Sequence, residues 1–569
     1  MKIVKFIIGL VLATVILLVP LSQFQSSPIA PLQDLAVQLD GRKKPLDTVA
    51  RETVELIHGR TSYQAANGEK LDYLDTYLSM WLNNRNWNEE PLVLLSYRPL
   101  KERVGLDLER KYFSFSELIR SDLATLIQNV HQKAAGIDLD RDEREALTVE
   151  DRLALVVETV GNDRLPLVPH PTDKKGAWVG ITEANKYYDI DVLMPIADSY
   201  DNLRQTYKNR PEDRVSLGAI ANKLHSQLVA LSPNVYPETA TTKREVRFYS
   251  LHPFAKAWML YGLGFIVMLG VLLFNLDFYE MAIAIFGSGL AIHGYGFWER
   301  MQIAGRPPVT NMYESVIWVG FGIAAIALLF EGIYRAKYYL LAAAPLAVVC
   351  LVLADSLPAV LDPTIKPLVP VLRDNFWLSI HVPTITLSYA SFALALGLGH
   401  IILGHYLIAP QATARIRSLS KWNYGVIQVG VLLLTTGIIL GGIWAHFAWG
   451  RFWGWDTKET WALIALMCYV VPLHGRLVGW LADFGLAVTS VVAFNAVLMA
   501  WYGVNFVLGT GLHSYGFGTG DSILTVAGFV GLDLLFVLVT AAKYKGWFKS
   551  KPSEEVAATK EPELVATEK

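Results

Sequence analysis

The residues best suited to chemistry lie in one run, Trp449-Gly450-Arg451-Phe452-Trp453-Gly454-Trp455-Asp456-Thr457-Lys458-Glu459-Thr460-Trp461, with four tryptophans in thirteen residues between two long apolar segments. Indole rings stack on planar π-systems and tolerate a membrane–water boundary, so the run suits either a flat apolar ligand or an aromatic belt at the edge of a span. Residue order separates these readings. Asp456 and Glu459 stand three apart just before Trp461-Ala462-Leu463-Ile464. In that spacing the aspartate caps free backbone N–H groups and the glutamate reaches back. The spacing therefore predicts an aromatic loop pinned to the mouth of a helix. A second run, Asn311-Met312-Tyr313-Glu314, repeats the capping logic.

The elements that must hold these runs are membrane spans. The chain has 569 residues, 53% apolar and 11% aromatic, with a positive mean hydropathy; its 18% of charged residues gather in 31–250 and in the tail. A net charge of −2 offers no basic surface for nucleic acid. Runs of roughly twenty apolar residues predict spans over 3–21, 255–276, 280–297, 314–331, 338–354, 378–407, 423–444, 460–479, 484–507 and 523–542. The fold class is thus an all-α polytopic membrane protein with about ten transmembrane helices and a mostly helical extracytoplasmic soluble domain. Lys2, Lys5, Arg335, Lys337, Arg415, Arg417, Lys421, Arg476, Lys543, Lys545 and Lys549 fall on one face, which makes that face and both termini cytoplasmic.

The organisation expected is an uncleaved membrane anchor over 1–24, a soluble domain over 25–250, a multi-span domain over 251–545 and a disordered tail over 546–569. Within the soluble domain, Leu71–Leu82, Phe115–Gln132, Val149–Val160 and Asp201–Leu231 carry helical spacing. The acidic stretch 138–142 fails as a calcium loop, since Glu143 stands at the glycine position, and reads as a solvated turn. Cys350 and Cys468 lie inside apolar segments and read as packing residues; there is no CxxC and no CxxCH. Any thiol chemistry then belongs to a partner.

The segment from Trp449 to His474 resembles the WWD signature of haem-handling proteins, in the form carried by the CcsA/ResC-type subunit of the System II cytochrome c synthase. The runs 308–315 and 511–516 agree with that family, and the resemblance covers roughly residues 255 to 545. It implies cytochrome c biogenesis: haem b crosses a bacterial cytoplasmic membrane, rests on an external platform of Trp449, Trp453, Trp455, Asp456 and Trp461, and is presented for thioether attachment to the CxxCH of an apocytochrome c. Membrane lipid and a CcsB/ResB-type subunit are the other implied partners.

His381 opens the 378–407 span and His513 sits in a glycine-rich outer loop; both match the family's external haem-ligand positions, and neutral imidazoles ligate iron well. His474 lies about fourteen residues into its span, on the order of 20 Å below the outer surface, where an ionisable side chain is a functional candidate. The resemblance makes it an axial ligand of a transmembrane haem. His400, ~28 Å below His381, is the best match in depth for the second ligand. Arg451 and Arg306, with Arg300, are candidates for haem propionates. Cytochrome c synthase activity of the haem-lyase type follows from this reading; no catalytic acid or base is assigned, because fixed geometry supplies the rate. Other readings stay open: a haem chaperone or exporter without ligation activity, a membrane cytochrome b subunit, or a transporter of another amphipathic compound.

Overall fold

The computed structural model describes residues 2–18, 28–133, 139–161, 163–356, 361–368, 370–508 and 523–546. The long apolar helices are α1 (Lys2–Leu18), α2 (Pro253–Leu273), α3 (Tyr279–Ala304), α4 (Met312–Tyr334), α5 (Tyr338–Ser356), α6 (Asn375–Ile408), α7 (Thr413–Trp449), α8 (Thr457–Leu477), α9 (Asp483–Leu508) and α10 (Ile523–Tyr544). Among the described residues nine of these helices are long and apolar enough to cross a membrane. The exception is α1, whose 17 described residues pack against α3.

The helices overrun the predicted spans where charge is paired or a polar face is turned outward. Hydropathy fades at residue 297, yet α3 continues to Ala304 because Glu299 meets Arg244 and Arg247, and Arg300 meets Glu314. At 37 residues, α7 is roughly 55 Å long, well beyond the apolar thickness of a bilayer. Its first turns bury Ile416, Leu419, Ser420 and Asn423 while Arg415, Arg417 and Lys421 face away from the core.

Contacts divide the bundle into two ends. At one, Lys2 and Lys5 pair with Glu280 and Asp277 in the turn from α2 to α3, Lys337 lies over Tyr279, and Lys543 donates to Leu407 O. Lys2, Lys5, Lys337 and Lys543 thus share that end. The other end carries the polar domain, whose last helix, Thr239–Leu251, turns into α2 at His252, a left-handed residue.

The polar domain is helical with three short two-stranded antiparallel sheets among the described residues, which periodicity alone does not show. Leu71 and Asp72, expected as helix, lie in the strand Lys70–Asp72 that pairs with Ser62–Gln64, and Asp72 then caps the helix Tyr73–Trp81. The stretches 115–132 and 201–231 each divide into two helices, the second at Pro211. Asp140 forms a capping box with Glu143 at the start of Arg141–Thr159, so the acidic stretch begins a helix. One hairpin, Ala36–Leu39 with Arg42–Pro45, bears on the membrane half: Arg42 pairs twice with Glu245, and Gly41 at its tip touches Pro367. The tail expected as disordered lies outside the described residues from 547 onward.

Candidate functional site

The motif-bearing ends of α4, α6, α7, α8 and α9 meet at the domain-facing end of the bundle. Asp374 starts α6 by accepting hydrogen bonds from Phe376 N (3.0 Å) and Trp377 N (3.3 Å). One turn and a half on, His381 Nδ1 donates to Gly437 O of α7 (2.9 Å), and its ring meets Trp444 edge-on at 5.6 Å. Because the acceptor is a carbonyl, the proton is on Nδ1 and Nε2 is the basic nitrogen, the tautomer that suits a metal. Only glycine allows the two helices this close: a Cβ on Gly441 would stand 2.5 Å from the imidazole.

The loop between α7 and α8 is pinned as its sequence predicts. Asp456 accepts from Lys458 N (3.0 Å), and Glu459 Oε2 accepts from Asp456 N (3.1 Å) and Gly454 N (2.8 Å). Arg451 Nη1 lies 3.6 Å from Glu459 Oε1, its guanidinium folded across Gly454, where any Cβ would collide with it. In the second motif, Asn311 accepts from Glu314 N (2.8 Å), and Glu314 accepts from Thr310 N, Thr310 Oγ1 and Arg300 Nε. Arg300, Arg306 and Asn311 also hold the segment 361–368, donating to the carbonyls of Pro363, Lys366 and Asp362.

Between these elements a cleft opens. Its walls are Val309, Thr310, Asn311, Met312 and Ser315; His381, Ile385 and Tyr389; Ile438, Gly441, Gly442 and Ala445; Phe452, Trp453, Lys458, Glu459 and Ala462; and Trp501 with Asn505. It is mostly apolar and aromatic with a few polar groups, the usual make-up of an organic ligand site. Trp453 Nε1 is buried with no acceptor among the described residues.

The structure brings some predicted residues into this cleft and leaves others outside its walls. His381 and Trp453 line it, and Asp456 caps the helix that brings Lys458, Glu459 and Ala462 to its wall. Trp455 is 70% exposed, in a left-handed conformation, edge-on to Trp453 at 5.7 Å. Trp449 lies under Arg451 at 5.9 Å, and Trp461 is half-buried in the first turn of α8. Arg306 is held by Thr310 and Lys366 O. At the other end, His474 is exposed on α8 with Nδ1 bonded to Val470 O. His400 engages Leu396 O through Nδ1 and Asp533 of α10 through Nε2, so both its ring nitrogens are used. His513 lies outside the described residues.

Sequence reasoning missed Lys458, Trp501 and Asn505. Lys458 Nζ donates to Asn505 Oδ1 (3.1 Å), Asn505 Nδ2 donates to Trp501 O (3.0 Å), and Trp501 Nε1 donates to Ser315 Oγ (2.9 Å). The last ten residues of α9, Met499–Leu508, wind as a π-helix. Such widened turns gather at functional sites. The i,i+4 pair Trp501 and Asn505 inside an apolar span was the available signal.

A bundle of long apolar helices with an aromatic loop and a histidine-bearing cleft at one end is the frame of a cytochrome c assembly protein, and residues 309–513 match the family model described as Cytochrome C assembly protein. The chain belongs to the CcsA family of cytochrome c biogenesis proteins: it is 35% identical over 248 residues to CcsA of Prochlorococcus marinus strain MIT 9303, covering 37% of this chain and 77% of that protein. CcsA of Synechococcus sp. strain RCC307 is likewise 35% identical, over 251 residues, 37% of this chain and 77% of its own length. Protein NrfI of Wolinella succinogenes is 29% identical over 503 residues, which is 84% of this chain; the chain spans about half, 53%, of NrfI. The NrfI likeness therefore covers far more of the chain than the CcsA likeness.

Proposed function

We propose that this chain accepts haem b in the domain-facing cleft and presents it for thioether attachment to the CxxCH of an apocytochrome c. The observation that carries this reading is His381: its Nδ1 is committed to Gly437 O, its ring lies against Gly441 and Trp444, and its Nε2 is the basic nitrogen of a ring that lines an aromatic cleft. The side chains present fit the cargo: an imidazole for iron and the Trp453 and Phe452 rings for the macrocycle. His513 is the second axial ligand in this reading, and Trp449, Trp455 and Trp461 extend the platform around the cleft mouth.

The protein's own contribution is positioning. The capping box and the Arg451–Glu459 contact fix the loop that carries Phe452 and Trp453, so the cargo's orientation is set before a partner arrives. Each attachment adds a cysteine thiol across a vinyl group: an S–C bond forms, the S–H bond breaks, and the proton goes to the other vinyl carbon. No oxidant or leaving group is needed. The membrane in this reading is the bacterial cytoplasmic membrane, with the basic end of the bundle and both termini inside; His474 marks the side from which haem arrives, with His400 as the candidate second ligand once released from Asp533. A CcsB/ResB-type subunit completes the assembly.

The test is the absorbance spectrum of the purified full chain. The native protein is expected to carry b-type haem with a six-coordinate spectrum. His381→Ala should lose most of it, with partial return on adding imidazole, which occupies the vacated axial position. Full haem content in His381→Ala would remove this histidine as a ligand; a native protein with no haem and no affinity for it would overturn the reading.

A further inference from the structure

Among the described residues, Lys458 is the only lysine or arginine in the walls of the cleft. It stands in the first turn of α8 and crosses to α9, where its Nζ donates to Asn505 Oδ1 at 3.1 Å. An ammonium carries three donors, and this hydrogen bond uses one of them. Asn505 is itself held by its donation to Trp501 O, within the π-helical turns of α9, so the acceptor that aims Lys458 is fixed in place.

The other acidic and basic groups nearby are already engaged. Glu459 takes the N–H groups of Gly454 and Asp456 and the Arg451 guanidinium; Asp456 caps α8. Arg300 is fully buried against Glu314 and Pro363 O, and Arg306 is turned to Thr310 and Lys366 O. Neither lines the cleft, and neither does Arg451. An ammonium held against an apolar wall is costly unless an anion joins it.

We propose that Lys458 is the specificity-determining residue of the cleft, recognising a carboxylate on an amphipathic, planar ligand. The inference rests on the reading of the cleft as a haem site and assigns the ligand's acidic edge to Lys458, where the sequence suggested Arg451 and Arg306.

The experiment compares two probes on the purified full chain: haem, which carries two propionates, and haem dimethyl ester, in which both are blocked. Binding is followed by the Soret band and by quenching of tryptophan fluorescence. The native chain is expected to bind the diacid about tenfold more tightly than the ester, the scale of one charge-assisted hydrogen bond. Lys458→Met should bind both with equal affinity, and Lys458→Arg should restore the preference, which a merely structural lysine would not do. Equal affinities in the native chain, or an unchanged preference in Lys458→Met, overturn the assignment while leaving haem binding in place. Failure of the native chain to bind either probe overturns the haem reading itself and this inference with it. Should Lys458→Met not accumulate as folded protein, the comparison on the native chain and on Lys458→Arg still decides.

Discussion

Two helix starts face each other across the cleft with the same sequence grammar, Asn311-x-x-Glu314 and Asp456-x-x-Glu459, and they end in different surroundings. Glu314 is completely buried, accepts from Thr310 and from Arg300, and so ties α4 to α3; Arg300 reaches on to Pro363. Glu459 is half-buried, accepts from its own loop, and meets Arg451, four residues before the tryptophan at 455. The first start is welded into the bundle, while the second shapes a loop whose Phe452 and Trp455 stand 58% and 70% exposed. One wall of the cleft is thus fixed by a network spanning three segments, and the opposite wall is a presented surface held by local bonds.

Breaking the welded side should have the largest effect. Arg300→Met leaves Glu314 as an uncompensated buried carboxylate, and a loss of about 3–5 kcal/mol is expected, read as a fall in thermal stability in detergent. The double variant Arg300→Met/Glu314→Gln should recover part of it, since the stranded charge is gone. A single variant within about 1 kcal/mol of native stability would mean that the network is no more than a surface pair.

Function should part the two ends of the bundle more than stability does. His474→Ala is expected to lower haem at the cleft when haem comes from inside the cell, yet to bind haem as the native chain does when the purified protein is titrated. His381→Ala should fail in both settings. Normal cytochrome c maturation in the His474 variant would remove the route through α8.

The presented wall should respond modestly to stability tests. Asp456→Ala removes one cap, worth on the order of 1 kcal/mol, and is expected to reduce haem occupancy more than total protein. Unchanged occupancy would show that Phe452 and Trp453 hold their positions without the capping box.

These contrasts explain what could be read in the chain beforehand. Span positions were legible because long apolar runs leave few alternatives, and the predicted ends at 338, 484 and 523 fall within a residue of α5, α9 and α10. The Asn311 cap and the Asp456 capping box were legible because their spacing is local. What was not legible depends on partners far apart in sequence: the turn of Arg300 toward Glu314, the meeting of Lys458 with Asn505, and the pairing of His400 with Asp533. Depth arithmetic placed His400 at a suitable height, but height does not show which neighbour the imidazole meets. In the polar domain the strand pairs escaped because strands of two to four residues are too short to show a period.

The smallest expected effect gives the sharpest comparison of the two helix starts. Glu459→Gln keeps a carbonyl oxygen for the Gly454 and Asp456 N–H groups but removes the charge facing Arg451, whose side chain is one-third exposed. A partly exposed pair of this kind contributes roughly 0.2–1 kcal/mol. A double-mutant cycle with Arg451→Met and Glu459→Gln should return a coupling of that size, diminished by salt, whereas the same cycle on Arg300 and Glu314 should return several times more and resist salt, because a buried pair is poorly screened. Equal couplings would dissolve the distinction between a welded and a presented wall. A salt-insensitive Arg451–Glu459 coupling would place that loop inside the bundle's rigid frame, and the exposed aromatic surface would then be fixed by the same kind of network as the Asn311 side.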